Sequence, residues 1–290
     1  MRLNMTLWLA SAWLSLVPLA AAHTDPAPSC NPPIGWEAVA EAGEGRVLFI
    51  GEVHGTRETP EAFASYVCAA TAKGGRTLVL VEVSSRYAQA MAQAAVSEDP
   101  RAALLSDMQA HWQTQDGRGS VAMLDMMARI MVMAQSDQDI SVEPFSLFLL
   151  KEFPTPEETM TWVSALTPAE IQEQTEAGMA KEILARSAGF DRTIVLVGNV
   201  HAYLDFGDEP MPPSAAMRVP GAISLRVADE GGDAWVQMNG TAGVRDYPRR
   251  NPYNKPAGTM GLDEKYEPHF NGYLSVGAIS ASPPALLETP

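Results

Sequence analysis

The chain has 290 residues, 46% of them hydrophobic and 19% charged, a size and apolar content that support one large domain or two small ones around a substantial core. Its 35 Asp and Glu against 20 Lys and Arg give a formal net charge of −15. That balance sets nucleic-acid partners aside, because phosphate contacts need a basic surface.

In chain order, Met1 to Ala22 reads first as a secretory signal peptide. Arg2 supplies the positive start, Leu7 to Leu19 the apolar stretch, and Ala20-Ala21-Ala22 the small-residue cleavage site before His23. Cleavage there predicts an exported chain, periplasmic or secreted, with 23–45 as a polar lead-in. No later run reaches the roughly 18 to 20 apolar residues of a spanning helix. Export brings Cys30 and Cys68 into an oxidising compartment, where a pair of cysteines is more often a disulfide than a redox or metal site.

Arg46 to Ile50, flanked by Gly45 and Gly51, is a short apolar run that reads as a buried strand. Thr59-Pro60-Glu61 starts a helix carrying Phe63, Tyr66, Val67 and Ala70 at helical spacing, and Gly74-Gly75 stops it. Thr77 to Val83 is a second continuous apolar strand. Strand, helix and strand in this order make a βαβ unit whose parallel strands end on one edge of the sheet. Tyr87 to Val96 and Val121 to Ala134 read as helices, the second capped by Ser120 and striped with Met123, Met126, Met127, Met131 and Met133, a pattern whose commoner use is core packing. Thr155-Pro156-Glu157-Glu158 and Thr167-Pro168-Ala169-Glu170 both fit a capping box with Pro at the first helical position. This helical stretch, near 87–187, is expected to cap the sheet edge.

Ile194 to Val197 is a third buried strand, and Ala222 to Val227 and Ala234 to Met238 add further strands around the turn Glu230-Gly231-Gly232-Asp233. From 241 onward Gly, Pro and Asn predict a loop-rich segment with a frayed tail at 280–290. The expected fold is α/β: a mainly parallel central sheet flanked by helices, with a helical cap over the carboxyl edge of the strands and the domain proper at 46–240.

The phosphate-binding loop, the nucleophile elbow of serine hydrolases and the zinc helix with two spaced histidines are all absent from the sequence. What remains is a coincidence of position. Glu52 and His54 follow the first strand, Glu82 interrupts the second, and Asn199 and His201 follow the third, so all five gather at the carboxyl edge, where open α/β sheets bind ligands. A carboxylate within an apolar strand needs a partner, so Glu82 is expected to meet His, Arg or a metal. The polar loop from His111 to Ser120, with Trp112 and Arg118, is expected to reach over the site or to lie on the surface. Tyr247, Arg249, Arg250, Tyr253 and Lys255 read as an irregular solvated segment.

Gly51-Glu52-Val53-His54-Gly55-Thr56-Arg57-Glu58 after a strand, Glu82 on the next and Gly198-Asn199-Val200-His201 later resemble the superfamily that joins erythromycin esterases, Tiki/TraB-type proteins and ChaN-type haem-binding uptake proteins. Glu52-Val53-His54 is similar to the ChaN pattern and His54 to Glu58 to the esterases, while the chain length points to the compact ChaN-like branch. The resemblance implies an exported hydrolase-like protein acting on an ester, lactone or amide, or a haem-binding module without catalysis. In the hydrolytic reading His54 is a general base near neutral pH, Glu52 or Glu82 orients it, and His201 is a second acid, base or ligand. Arg57, Arg118 or Asn199 then stabilises a developing oxyanion, with Trp112 as a further substrate contact. The same Glu52, His54, Glu82 and His201 also suit a divalent metal, which Tiki-type relatives are thought to use. His54, His111 and Tyr203 are the candidate haem ligands. The expected partner is a small molecule, and a homodimer stays open.

Overall fold

The computed structural model describes residues 30–136, 139–146, 156–207, 211–238, 240–252, 254–267 and 269–286. The leader at 1–22, His23, Thr155, Tyr253 and 287–290 lie outside the described residues. In chain order the elements are α1 (Trp36–Ala42), β1 (Val47–Glu52), α2 (Glu58–Thr71), β2 (Thr77–Ser84), α3 (Ala88–Ala95), α4 (Pro100–Asp107), α5 (Gln109–Trp112), α6 (Val121–Gln135), β3 (Ile140–Ser146), α7 (Pro156–Ser164), α8 (Pro168–Ser187), β4 (Arg192–Gly198), α9 (Asn199–Ala202), β5 (Ile223–Met238), β6 (Thr241–Tyr247), β7 (Thr259–Glu267) and β8 (Phe270–Ile279).

The strands form one eight-stranded sheet in the order β3-β2-β4-β1-β5-β8-β7, with β6 hairpinned onto β5. Pairings along β3-β2-β4-β1-β5-β8 are parallel, and only β6 and β7 run antiparallel. Both faces of the parallel core are covered, which explains why β1, β2 and β4 are apolar without alternation. Leu48, Ile50, Val79, Val81, Ile194 and Leu196 face the layer built by α1 to α4 and α6. Val47, Phe49, Leu78, Leu80, Val195 and Val197 face α8 and α9. The methionine stripe of α6 is buried against the first layer, so it serves packing as its spacing indicates. Thr167 and Glu170 form the expected capping box at the start of α8.

Three segments differ from their sequence reading. β3 lies in what reads as a helical stretch; its alternating burial and Pro144 suit an edge strand, which pairs only with β2. Glu230 to Asp233 does not separate two strands, because β5 runs through it and changes partner there, β8 up to Gly232 and β6 from Gly232 onward. Gly232 is required at that kink, since a Cβ would meet the Ile279 carbonyl oxygen at 2.0 Å. The segment from 241, expected to be loop-rich, holds β6, β7 and β8. Its glycines allow close strand approach: a Cβ on Gly272 would lie 2.1 Å from the Gly261 carbonyl oxygen.

The tail from 280 to 286 is docked rather than frayed. The Arg57 N–H donates to the Ser280 carbonyl, Ser282 N–H to Gly55, Val121 N–H to Pro283 and Ala285 N–H to Gly119. This strap ties the segment after β1 to the loop before α6. From the 87–187 region that loop, 113–120, and Glu176 of α8 reach the carboxyl edge, while α3, α4 and α6 flank the sheet face.

Cys30 and Cys68 form a disulfide with Cα atoms 5.6 Å apart, closing a separation of 38 residues and fixing the lead-in to α2. A loop of this size is worth about 2–4 kcal/mol and, for a domain of this length, a shift in Tm of roughly 5–10 °C. Thermal unfolding with and without reductant checks this, and equal Tm values would contradict it.

Candidate active site

β4 lies between β1 and β2, with Glu52 in register with Gly198. This order brings the ends of all three strands side by side, and each ends in a chemically useful group. Glu82, the carboxylate of β2, is 4% exposed. Its Oε1 accepts from Arg118 Nη1 at 2.9 Å and its Oε2 from the Gly198 N–H at 2.8 Å. His54 Nε2 stands 3.5 Å from Glu82 Oε2, and His201 Nε2 stands 3.9 Å from Oε1.

Each histidine is held from its other nitrogen by a carboxylate. His54 Nδ1 lies 2.9 Å from Glu52 Oε1, and His201 Nδ1 lies 2.7 Å from Glu176 Oε1. With Nδ1–H donated to its carboxylate, each ring turns Nε2 toward Glu82. Glu176 is fully buried and also accepts the Ala215 N–H at 2.7 Å. The sequence reading missed it, although a signal exists: Glu176, Met179, Ala180 and Ile183 make one stripe of α8, and a carboxylate on a stripe that is otherwise buried demands a partner.

Electrostatics follow from this packing. Burial alone would lower the His54 pKa, but the charge of Glu82 and the hydrogen bond to Glu52 outweigh it and raise the value from 6.5 to about 9. Burial likewise opposes protonation of His201, and the hydrogen bond to Glu176 and the Glu82 charge overcome it, raising its pKa. For Glu82 burial pushes upward, yet His54, His201, Arg118 and the Gly198 N–H together hold the carboxyl below its ordinary range. The expectation that His54 titrates near neutral pH is therefore corrected: the two carboxylates beside it raise its pKa to about 9.

Of the other expected residues, Arg118 and Asn199 belong to the site. Arg118 is carried by the 113–120 loop and braced by Asp116, and Asn199 lines the cavity with its Oδ1 buried against Gly51. Gly117 presses on the segment after β1, where a Cβ would come within 2.5 Å of the Gly55 nitrogen. Arg57 does not join them: it precedes α2, and its side chain lines a separate groove between α2 and α6 with Glu61, Asp125 and Arg129. Trp112 is not a substrate contact either. α5 turns its ring inward, where it is fully buried and Nε1 donates to the Leu104 carbonyl at 2.6 Å.

The groups open onto a cavity of about 560 Å³ whose walls include Glu52, His54, Asp116, Asn199, His201 and Tyr203. Its far side comes from the β5–β6 hairpin and the segment after it, with Arg226, Gln237, Tyr247 and Arg250. Tyr247 and Arg250, read from sequence as a solvated segment, thus face the cavity. Among the described residues no group of three or more His, Cys, Asp or Glu is arranged to hold a metal ion. Glu52 and Glu176 hold the Nδ1 atoms, and both Nε2 atoms point to Glu82, whose oxygens also accept from Arg118 and Gly198. Of the haem candidates, His111 is buried with burial lowering its pKa to about 4, His54 faces a carboxylate at each nitrogen, and Tyr203 borders the cavity.

No protein-family model matches the sequence, and no curated protein matches it. Solved structures do share its fold. A Bacillus cereus protein superposes with a TM-score of 0.61 at 12% identity, covering 84% of this chain and 91% of the other. The erythromycin esterase EreC in an open conformation gives 0.60 at 10% identity, with 83% and 92% covered. A succinoglycan biosynthesis protein gives 0.58 at 11% identity, with 84% and 90% covered. The chain therefore has the fold of erythromycin esterases, one branch of the superfamily its motifs resemble. Because 92% of the esterase chain is covered, length does not separate the two.

The raised His54 pKa has a definite sign. Its ion pairing stabilises the fold fully below the unfolded value of 6.5 and is lost as pH rises through about 9. An NMR titration of the ring protons is expected to give His54 a pKa near 9, moving toward 6.5 in Glu52→Gln. Gly198→Ala should act alike, because its Cβ would stand 2.9 Å from His54 Nε2 and displace the ring from Glu82. A wild-type value near 6.5 would refute the pairing.

Proposed function

We propose that the protein is an exported hydrolase that cleaves an ester, lactone or amide by histidine-assisted attack of water. The observation that carries this is the convergence of two carboxylate-held histidines on buried Glu82 at an open cavity. The fold shared with an esterase supports the reaction class.

In this reading the neutral fraction of His54 takes a proton from water at Nε2, while Glu52 keeps Nδ1–H in place and stabilises the imidazolium that results. The hydroxide oxygen adds to the carbonyl carbon. Protonated His201 lies on the cavity wall to receive the developing oxyanion, Glu176 keeps its ring oriented, and Arg118 holds Glu82 in place. Collapse breaks the bond to the leaving group, which takes the proton from His54. Glu82 is too strongly stabilised as an anion to be the base, so its role is to hold the two rings and Arg118 in one array.

Because the base is the minor form at neutral pH, kcat/KM should rise with pH, reaching half its maximum near 9. A panel of para-nitrophenyl esters and lactones measures this. His54→Ala and Glu82→Gln are each expected to lower kcat by about 100-fold or more. Turnover that survives both substitutions, or a rate that falls between pH 8 and 10, would remove His54 as the base. A Soret band on haem addition that Tyr203→Phe abolishes would favour the cofactor-binding reading instead.

Export is part of the proposal. The Cys30–Cys68 bridge supports an oxidising compartment. Among the described residues no helix is long and apolar enough to cross a membrane. N-terminal sequencing of the exported chain should begin at His23, and a retained Met1 would contradict cleavage.

A further inference from the structure

The cavity has a second polar end that the hydrolytic step does not use. Arg226 stands on β5 in register with Gly51, one residue before Glu52, so it sits at the same carboxyl edge. Arg250 joins it from the segment after β6. The Arg250 guanidinium lies 4.2 Å from the centroid of the Tyr247 ring, and its Nη2 donates to the Tyr247 hydroxyl at 2.5 Å. That hydroxyl accepts from Arg250 and keeps its own proton for another acceptor.

Arg250 differs from its neighbours in what it lacks. Arg249 is held by Glu230, and Arg118 by Glu82 and Asp116. Among the described residues no carboxylate comes within 4.0 Å of the Arg250 guanidinium; its partners are the ring and hydroxyl of Tyr247. Asp229 feels the charges of both Arg226 and Arg250, but it is buried, accepts the Gly231 N–H, and is not among the cavity walls. In a chain with 35 acidic and 20 basic side chains, such a placement is not a by-product of composition. A guanidinium stacked on one face still presents a rigid fork of donors, which matches a carboxylate or phosphate.

We propose that Arg250 on Tyr247 binds an oxyanion group of the substrate, so that the hydrolysed compound carries a carboxylate or phosphate apart from the scissile bond. Which substrates are cleaved rests on the hydrolase reading; the anion site itself does not. It sets specificity, because a neutral analogue leaves this end of the cavity without its partner.

Two arms separate the claims. In the first, succinate and inorganic phosphate are titrated calorimetrically into the wild-type protein, R250Q, R250K and R249Q, with folding checked by circular dichroism. At least one anion is expected to bind, about tenfold more weakly to R250Q, with R250K between them. R249Q, altered at the surface pair with Glu230, should bind as the wild type does. In the second, para-nitrophenyl hemisuccinate is compared with para-nitrophenyl butyrate. The wild-type ratio of kcat/KM is expected to favour the anionic ester about tenfold and to collapse toward one in R250Q. Failure of both anions to bind, or binding that folded R250Q leaves unchanged, overturns the anion site. Anion binding that depends on Arg250 without turnover of either ester keeps the site and overturns the hydrolase reading.

Discussion

The buried charge of Glu82 is the constraint on which the site depends. A carboxylate inside a parallel sheet loses its hydration, at a cost of several kcal/mol unless partners replace the water. Here the replacement comes from four directions: Arg118 from a loop, the Gly198 N–H from the adjacent strand, and His54 and His201 from the ends of β1 and β4. None of these is local in sequence to Glu82. The charge is therefore satisfied only when the strand order, the loop and the turns after the strands are all in place.

Strand order supplies the first condition. With β4 inserted between β1 and β2, the two histidines reach different oxygens of Glu82, and Gly198 leaves the space between His54 and Glu82 open. The second condition is the position of the 113–120 loop. Gly117 lets it press on the segment after β1, and the 280–286 strap bonds to Gly55 and Gly119 together. The C-terminal strap thus ties the backbone beside His54 to the backbone beside Arg118.

Charge distribution explains how an acidic protein can present cations to a ligand. The carboxylates nearest the cavity are taken up by histidine or arginine: Glu52 by His54, Glu176 by His201, Asp116 by Arg118. The net charge of −15 thus describes the molecule as a whole and not the chemistry of this cavity. Arg250 follows β6 and lines the cavity with Tyr247, beside a hairpin that exists because the paired glycines let β5 change partner midway.

The sequence determined the parallel core and the residues at its edge, since burial on both faces makes β1, β2 and β4 uniformly apolar, and the polar residues that end such strands must gather on one side. Glu52, His54, Glu82, Asn199 and His201 were legible for that reason. Tertiary structure decided their partners. Arg118 rather than Arg57 reaches Glu82 because the chain enters α2 at Arg57 and turns its side chain into another groove. Glu176 comes from a helix on the far face, Trp112 is turned into the core by a single short helical turn, and β6 to β8 were hidden by glycines that serve strand packing as well as turns. Burial periodicity is a local property that a strand or helix carries in its own residues. Ion pairing, and with it the raised pKa of His54, depends on distances between segments far apart in the chain, which only the folded packing sets.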